Sequence, residues 1–213
     1  NSSYFQQCAS ARRRRNLIKK LKNESQNWVE GNDNLRPLVR EYFSNLFTSA
    51  NGEISNDLLS SVKHRVTQNM NEILVAPYTS DDVRKALFQI GDLKAPGPDG
   101  LHAIFFKRFW HIMGDELTKE VLGAINSRHI PAGWNVTNVV LIPKVDCPEV
   151  IAQYRPISLC NVVYKIISKM IANRLKSILP EIISPTQSAF VPGRQITDNV
   201  LVAYECFHTI KKK

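Results

Sequence analysis

Two short stretches each place one arginine in a stiffened backbone: Tyr154-Arg-Pro-Ile-Ser-Leu159 and Gln187-Ser-Ala-Phe-Val-Pro-Gly-Arg194. The neighbouring Pro and Gly residues restrict or shape the chain there, so each guanidinium is offered from a set place. A planar, permanently charged fork held in this way suits phosphate oxygens, which it can bind bidentately. Lys144 follows the β-branched run Val139-Val-Leu-Ile142 and its terminating Pro143, and it lies across a loop from Arg155. The chemistry needed for phosphoryl transfer itself is missing from the pattern. A two-metal site needs several convergent carboxylates, and no Tyr-x-Asp-Asp or comparable strand-borne pair of acids occurs. Asp99 falls in a Pro/Gly turn, Asp146 in a loop and Asp198 at a helix start. No nucleophile elbow, Walker loop or dinucleotide loop is present. Cysteine and histidine nucleophiles stay open, although nothing pairs Cys8, Cys147, Cys160 or Cys206 with a base.

The elements that must position these groups can be read from periodicity. Val139 to Ile142 predicts a buried strand, and Arg155 to Leu159 the strand that returns from the loop. Asn161 caps a long helix to about Leu179, with Tyr164, Ile167, Ile171, Leu175 and Ile178 inward. Its other face carries Lys165, Lys169, Asn173 and Lys176, a stripe that either follows a phosphate backbone or keeps the helix soluble. Thr197 or Asp198 caps a last helix with Val200, Ala203, Tyr204, Phe207 and Ile210. Upstream, Lys94-Ala-Pro-Gly-Pro-Asp-Gly100 is a rigid turn. An aromatic helical segment follows it (Phe105 to Met113), which Gly114-Asp115 breaks before another helix; core packing explains the aromatics better than base stacking. Thr79-x-x-Asp82 reads as a capping box, and the adjacent Asp81 and Asp82 suit a helix start better than a metal.

Nearer the start, Arg12, Arg13, Arg14, Arg15, Lys19, Lys20 and Lys22 form a run without acids, interrupted by Leu17, Ile18 and Leu21. With the turn-prone Asn23 to Gln26 and then Trp28 and Val29, the run reads as a basic hairpin, with a short helix as the alternative. It would track nucleic-acid backbone, or be a solvated charge run. Leu35, Leu38, Val39, Tyr42, Phe43, Leu46 and Phe47 predict an amphipathic helix, and Leu58, Leu59, Val62 and Val66 a shorter one. The composition shift near 48–80 divides a basic N-terminal extension (1–75) from a larger α+β piece (76–213).

Bulk properties agree with a polyanion partner: the formal charge is +9 over 213 residues, and 43% hydrophobic content suffices for a core. The four cysteines lack metal-site spacing and read as reduced thiols of an intracellular protein. No secretory h-region occurs in 1–30, and no run of about 18 apolar residues that would span a membrane.

Lys94-Ala-Pro-Gly-Pro-Asp-Gly100, Val140-Leu-Ile-Pro-Lys144, Tyr154-Arg-Pro-Ile-Ser-Leu-Cys-Asn161 and Gln187-Ser-Ala-Phe-Val-Pro-Gly-Arg194, in this order, resemble the reverse transcriptases of plant LINE-type retrotransposons, which lack long terminal repeats. Ile196-Thr-Asp-Asn199 continues the match. The Arg-rich stretch with Trp28-Val-Glu-Gly31, and Glu41-Tyr-Phe-x-x-Leu-Phe47, resemble the region upstream of the polymerase. The resemblance implies a mainly helical α+β fold: a partial right-hand polymerase, with fingers and the start of the palm. Lys144 and Arg155 would face the incoming dNTP. Gln187, Phe190, Gly193 and Arg194 would meet template and primer, with Lys165, Lys169 and Arg12 to Arg15 as further nucleic-acid contacts. Partners would be RNA and DNA, the dNTP, and the palm and thumb of the same polyprotein, in cytoplasm and nucleus. The family's catalytic aspartates are expected beyond residue 213, so the chain is expected not to polymerise alone; Mg²⁺ would serve the complete enzyme. The competing expectations are a non-catalytic nucleic-acid-binding remnant and a decayed pseudogene product.

Overall fold

Helix signals and turn chemistry set the element order in the computed structural model, which describes residues 2–49, 52, 56–61 and 63–212. Helix α1 spans Ser2–Asn16, followed by strands β1 (Lys20–Lys22) and β2 (Trp28–Glu30) and helix α2 (Asn32–Phe47). Short helices α3 (Asn56–Ser61) and α4 (Gln68–Val75) lead to α5 (Ser80–Gln89), α6 (Ala103–Arg108) and α7 (Trp110–Ser127). Strands β3 (Thr137–Pro143) and β4 (Tyr154–Cys160) follow, then α8 (Val162–Lys176), α9 (Leu179–Ile182) and α10 (Ile196–Lys211). The two sheets have two strands each, β1 with β2 and β3 with β4. The architecture is therefore mainly helical with small sheets, and among the described residues no helix is long and apolar enough to cross a membrane.

The chain divides into two compact units. One comprises residues 1–55 and 137–159, the other 56–136 and 160–213. The strand pair thus groups with the N-terminal piece. The reason lies in the first unit's core. Leu21, Leu35, Ile151 and Tyr154 are buried together, with Val29, Leu38, Tyr42 and Phe43 packed around them. The Lys22 amide donates to Glu149 O (2.7 Å), and the Lys22 ammonium meets the Glu149 carboxylate at 2.6 Å. The antiparallel hairpin pairs Lys20 with Glu30, Leu21 with Val29 and Lys22 with Trp28. Its turn is closed by the Asn27 amide donating to Asn23 Oδ1 (2.9 Å). Helix α2 starts earlier than its apolar spacing predicts and carries Pro37 inside it, which removes one ladder donor.

The second unit is built on α5, α7 and α8. Val83, Leu87, Val121, Val162, Ile166 and Met170 lie at its centre with at most 2% exposure. Thr79 caps α5 as expected: its amide donates to Asp82 Oδ2 (2.8 Å) and its Oγ1 accepts from the Asp82 amide (3.3 Å). Asp81 pairs with Lys85 one turn on (2.5 Å).

Several expectations are corrected. Arg12 to Arg15 lie on α1, and only Lys20 and Lys22 of the basic run lie in the hairpin. The aromatic segment breaks at Phe109, not at Gly114. Gly114 is inside α7 because the Trp110 ring packs where a side chain would stand, 2.8 Å from an ideal Cβ. Strand β3 is not buried: the successive residues Asn138, Val139 and Val140, which alternate between the two faces of the sheet, are all exposed. Helix α8 ends at Lys176, and its inward stripe is Val162, Ile166, Ile167 and Met170; Ile171 and Leu175 face outward. The expected stripe follows the same period but is rotated about the axis. Val62 lies outside the described residues. Helix α10 forms, yet none of its residues is buried.

Candidate nucleotide and nucleic-acid interface

Strands β3 and β4 present the two cations predicted for a nucleotide. The Lys144 amide donates to Gln153 O (2.8 Å), which closes the loop between the strands. The Lys144 ammonium donates to Ala152 O (2.8 Å), so the side chain folds along its own loop while staying exposed. Arg155 is exposed on β4, and no hydrogen bond or ion pair holds it among the described residues. The neighbouring Tyr154 is anchored in the core below, 6% exposed, and burial pushes its phenol pKa above the ordinary value. Pro156 follows Arg155 in a strand with free edges, where a missing N–H costs little. The arrangement holds one guanidinium ready for an anion and one ammonium that can swing to it from a single weak tether.

The stretch from Gln187 to Arg194 is organised differently. Arg194 is tied into its own loop. Its Nη1 donates to Ser184 O (2.5 Å) and Gln187 O (2.8 Å), and its Nη2 to Pro180 O (2.9 Å) and Ile183 O (3.3 Å). Four carbonyls surround the fork, and the expected alternative partner, Asp198, instead accepts from the Gln195 amide at the start of α10 (3.1 Å). Asn199 completes the knot, its Nδ2 donating to Thr186 O (2.9 Å) and to the buried Ser188 Oγ (3.0 Å). At the tip stands Phe190, 98% exposed with φ of +63°. A left-handed aromatic residue is uncommon and persists where the surroundings hold it. Gly193 has φ of +77°, and a Cβ there would meet nothing within 4 Å. At that φ a side chain is strained even though the space is open. Gln187 is exposed.

Of the remaining candidates, Lys165 donates its ammonium to Ala95 O (2.6 Å) and serves the 94–100 turn; Lys169 is half-buried on the same helix. Arg13 and Arg14 are exposed on α1, whereas the side chains of Arg12 and Arg15 lie outside the described residues. No group of three or more His, Cys, Asp or Glu that could hold a metal ion occurs among the described residues. The donor set of a Mg²⁺ polymerase site is thus not offered by them.

Two features escaped sequence reading. Asn161 precedes α8 but makes no side-chain cap; its Oδ1 accepts from the Asp99 amide (3.4 Å) and its Nδ2 donates to Gly133 O (3.3 Å). Gly97 is what admits it, since a Cβ there would stand against Asn161 and only 2.6 Å from the Cys160 carbonyl carbon. Arg174 lies 3.4 Å over the Tyr78 ring and donates to Leu74 O (3.1 Å), Ala76 O and Pro77 O (3.2 Å). No local signal marked the first, since Asn161 and the Asp99 amide it accepts from are 62 residues apart in sequence. None existed for the second, whose carbonyl partners are almost a hundred residues away in sequence.

Residues 142–213, which include both cation loops, match the family model described as reverse transcriptase (RNA-dependent DNA polymerase). The chain is also similar to the "Transposon TX1 uncharacterized 149 kDa protein" of Xenopus laevis, with 33% identity over 187 residues. That alignment takes in 86% of this chain and 14% of the Xenopus protein, so the chain spans about a seventh of the curated relative it matches. Both likenesses support a transposon-type reverse-transcriptase fragment.

Proposed function

We propose that this chain is the fingers and the approach to the palm (76–213), with a basic N-terminal extension (1–75), of a LINE-type reverse transcriptase of plant kind. It holds the template, primer and incoming dNTP for a Mg²⁺-dependent centre formed by other parts of the same polyprotein. The observation that carries this reading is Arg155: exposed, without a partner among the described residues, and on the strand next to Lys144, inside the segment that matches the reverse-transcriptase pattern. In this reading Arg155 binds triphosphate oxygens bidentately and Lys144 leaves Ala152 O to join it. Their charges offset what develops on the phosphates during transfer. Gln187, Phe190 and Gly193 line the template side, Lys169 and Arg12 to Arg15 add backbone contacts, and Arg194 acts through the shape of its loop. RNA and DNA are the partners, in cytoplasm and nucleus.

The test uses purified chain. Binding of an RNA-template, DNA-primer duplex should weaken steeply with salt, and Mg²⁺ with dNTPs should give no primer extension. Robust extension would overturn the assignment of catalysis to other segments, and salt-insensitive or absent binding would overturn the holding role. A second reading, a nucleic-acid-binding remnant or decayed product with no polymerase partner, is favoured by α10, whose Val200, Leu201, Tyr204, Phe207 and Ile210 are all more than 60% exposed. The decayed product, unlike a folded binding remnant, predicts a broad, non-cooperative melt.

A further inference from the structure

The hairpin of β1 and β2 has two unlike faces. Leu21 and Val29 alternate inward, and Leu21 is fully buried. The opposite face therefore carries Lys20, Lys22, Trp28 and Glu30. Trp28 is not needed by the core and remains 43% exposed. The Lys20 ammonium lies 4.3 Å and the Lys22 ammonium 4.9 Å from the centre of its ring. Lys22 is also paired with Glu149, whereas Lys20 has no ion-pair partner among the described residues. Lys22 further borders a cleft of about 480 Å³ beneath the hairpin turn, whose polar lining includes Asn23, Gln26, Glu41 and Asn45.

We propose that this face, Trp28 with Lys20 and Lys22, is a contact site for single-stranded nucleic acid. The proposal does not depend on the polymerase reading. The part-exposed indole stacks on an unpaired base, and the two ammonium groups that lie over the ring move off it to the adjoining phosphates. Lys22 exchanges Glu149 for phosphate, and Lys20 needs no exchange. The amide and carboxylate groups of the cleft give hydrogen-bond partners to the edge of a base turned into it. A duplex keeps its bases stacked and cannot use the ring. An acidic protein segment would use the lysines and leave the indole without a role.

Fluorescence anisotropy on the whole chain tests this with labelled oligouridylate, a labelled mixed-sequence duplex and labelled polyglutamate. Trp28→Leu should weaken oligouridylate binding ~10-fold, while Trp28→Phe stays within ~threefold of the parent. Lys20→Ala should lower the magnitude of the salt slope by ~0.7. The duplex and polyglutamate affinities should change less than twofold with Trp28→Leu. A loss below twofold on oligouridylate, or an equal loss on all three probes, overturns the proposal. Lys20 lies on the solvent side with no hydrogen bond among the described residues, so Lys20→Ala keeps the test decisive if Trp28→Leu fails to fold; an unchanged salt slope then refutes it.

Discussion

Replacing Arg194 separates a residue that shapes its loop from one that meets nucleic acid directly. The side chain donates four hydrogen bonds to the carbonyls of Pro180, Ile183, Ser184 and Gln187, spread over eight residues of chain. A net hydrogen bond contributes about 0.5–1.5 kcal/mol, and more with a charged donor. The group is only half-buried, so the four together are worth roughly 2–3 kcal/mol of local stability. Global unfolding should barely change, because of this stretch only Ser188 and Val191 are buried. Local opening should change strongly. The amides of Gln187 and Arg194 donate to Ser184 O and Val191 O, and in Arg194→Ala their hydrogen exchange should speed up ~30- to ~150-fold. Arg194→Lys is the informative partner variant. A lysine keeps the charge but offers three donors from one point and cannot span the four carbonyls. It should recover little protection, and its template–primer affinity should resemble that of Arg194→Ala. Exchange within ~threefold of the parent in Arg194→Ala, or full recovery of affinity in Arg194→Lys, would refute the loop-shaping role.

Gly97→Ala should destabilise the second unit by ~2–3 kcal/mol in urea unfolding, and Asn161→Ala should not rescue it, since the obstruction is the backbone of Cys160 and Asn161. Thr79→Ala should cost ~1 kcal/mol through loss of its capping bonds, read by the same titration. Tyr154 has a folded pKa raised by burial above its unfolded value near 10. Its contribution is therefore fully present below about pH 10 and is lost as pH rises through the folded pKa. The melting temperature should fall at alkaline pH in the parent and fall less in Tyr154→Phe.

What could be read from sequence followed from local rules. The capping box at Thr79, the strand ended by Pro143 and the helix after Asn161 each depend on neighbours within a few residues. The positions of Lys144, just past the end of β3, and of Arg155, on β4, belong to the same class. The errors arose where a distant partner decided the outcome. Gly114 looked like a breaker and is instead a seat for the Trp110 ring one turn away. Asn161 was placed correctly before α8, but its side chain serves the 97–100 turn rather than the helix end. Arg194 has the composition of a phosphate ligand, and its four carbonyl partners become visible only when the loop closes around it. The basic run likewise carried no mark to tell where helix α1 would stop and the hairpin begin.

The central claim is that Arg155 and Lys144 hold an incoming nucleotide over a bound template and primer. Its most direct measurement is the affinity of the chain for an RNA–DNA template–primer, with and without the dNTP that matches the next template base. The account predicts that the matched dNTP tightens binding more than a mismatched one, and that Arg155→Ala abolishes this gain while leaving affinity without dNTP within about twofold, since an exposed side chain can be removed at little structural cost. Equal affinity with matched, mismatched and no dNTP, or a gain that survives in Arg155→Ala, would contradict it.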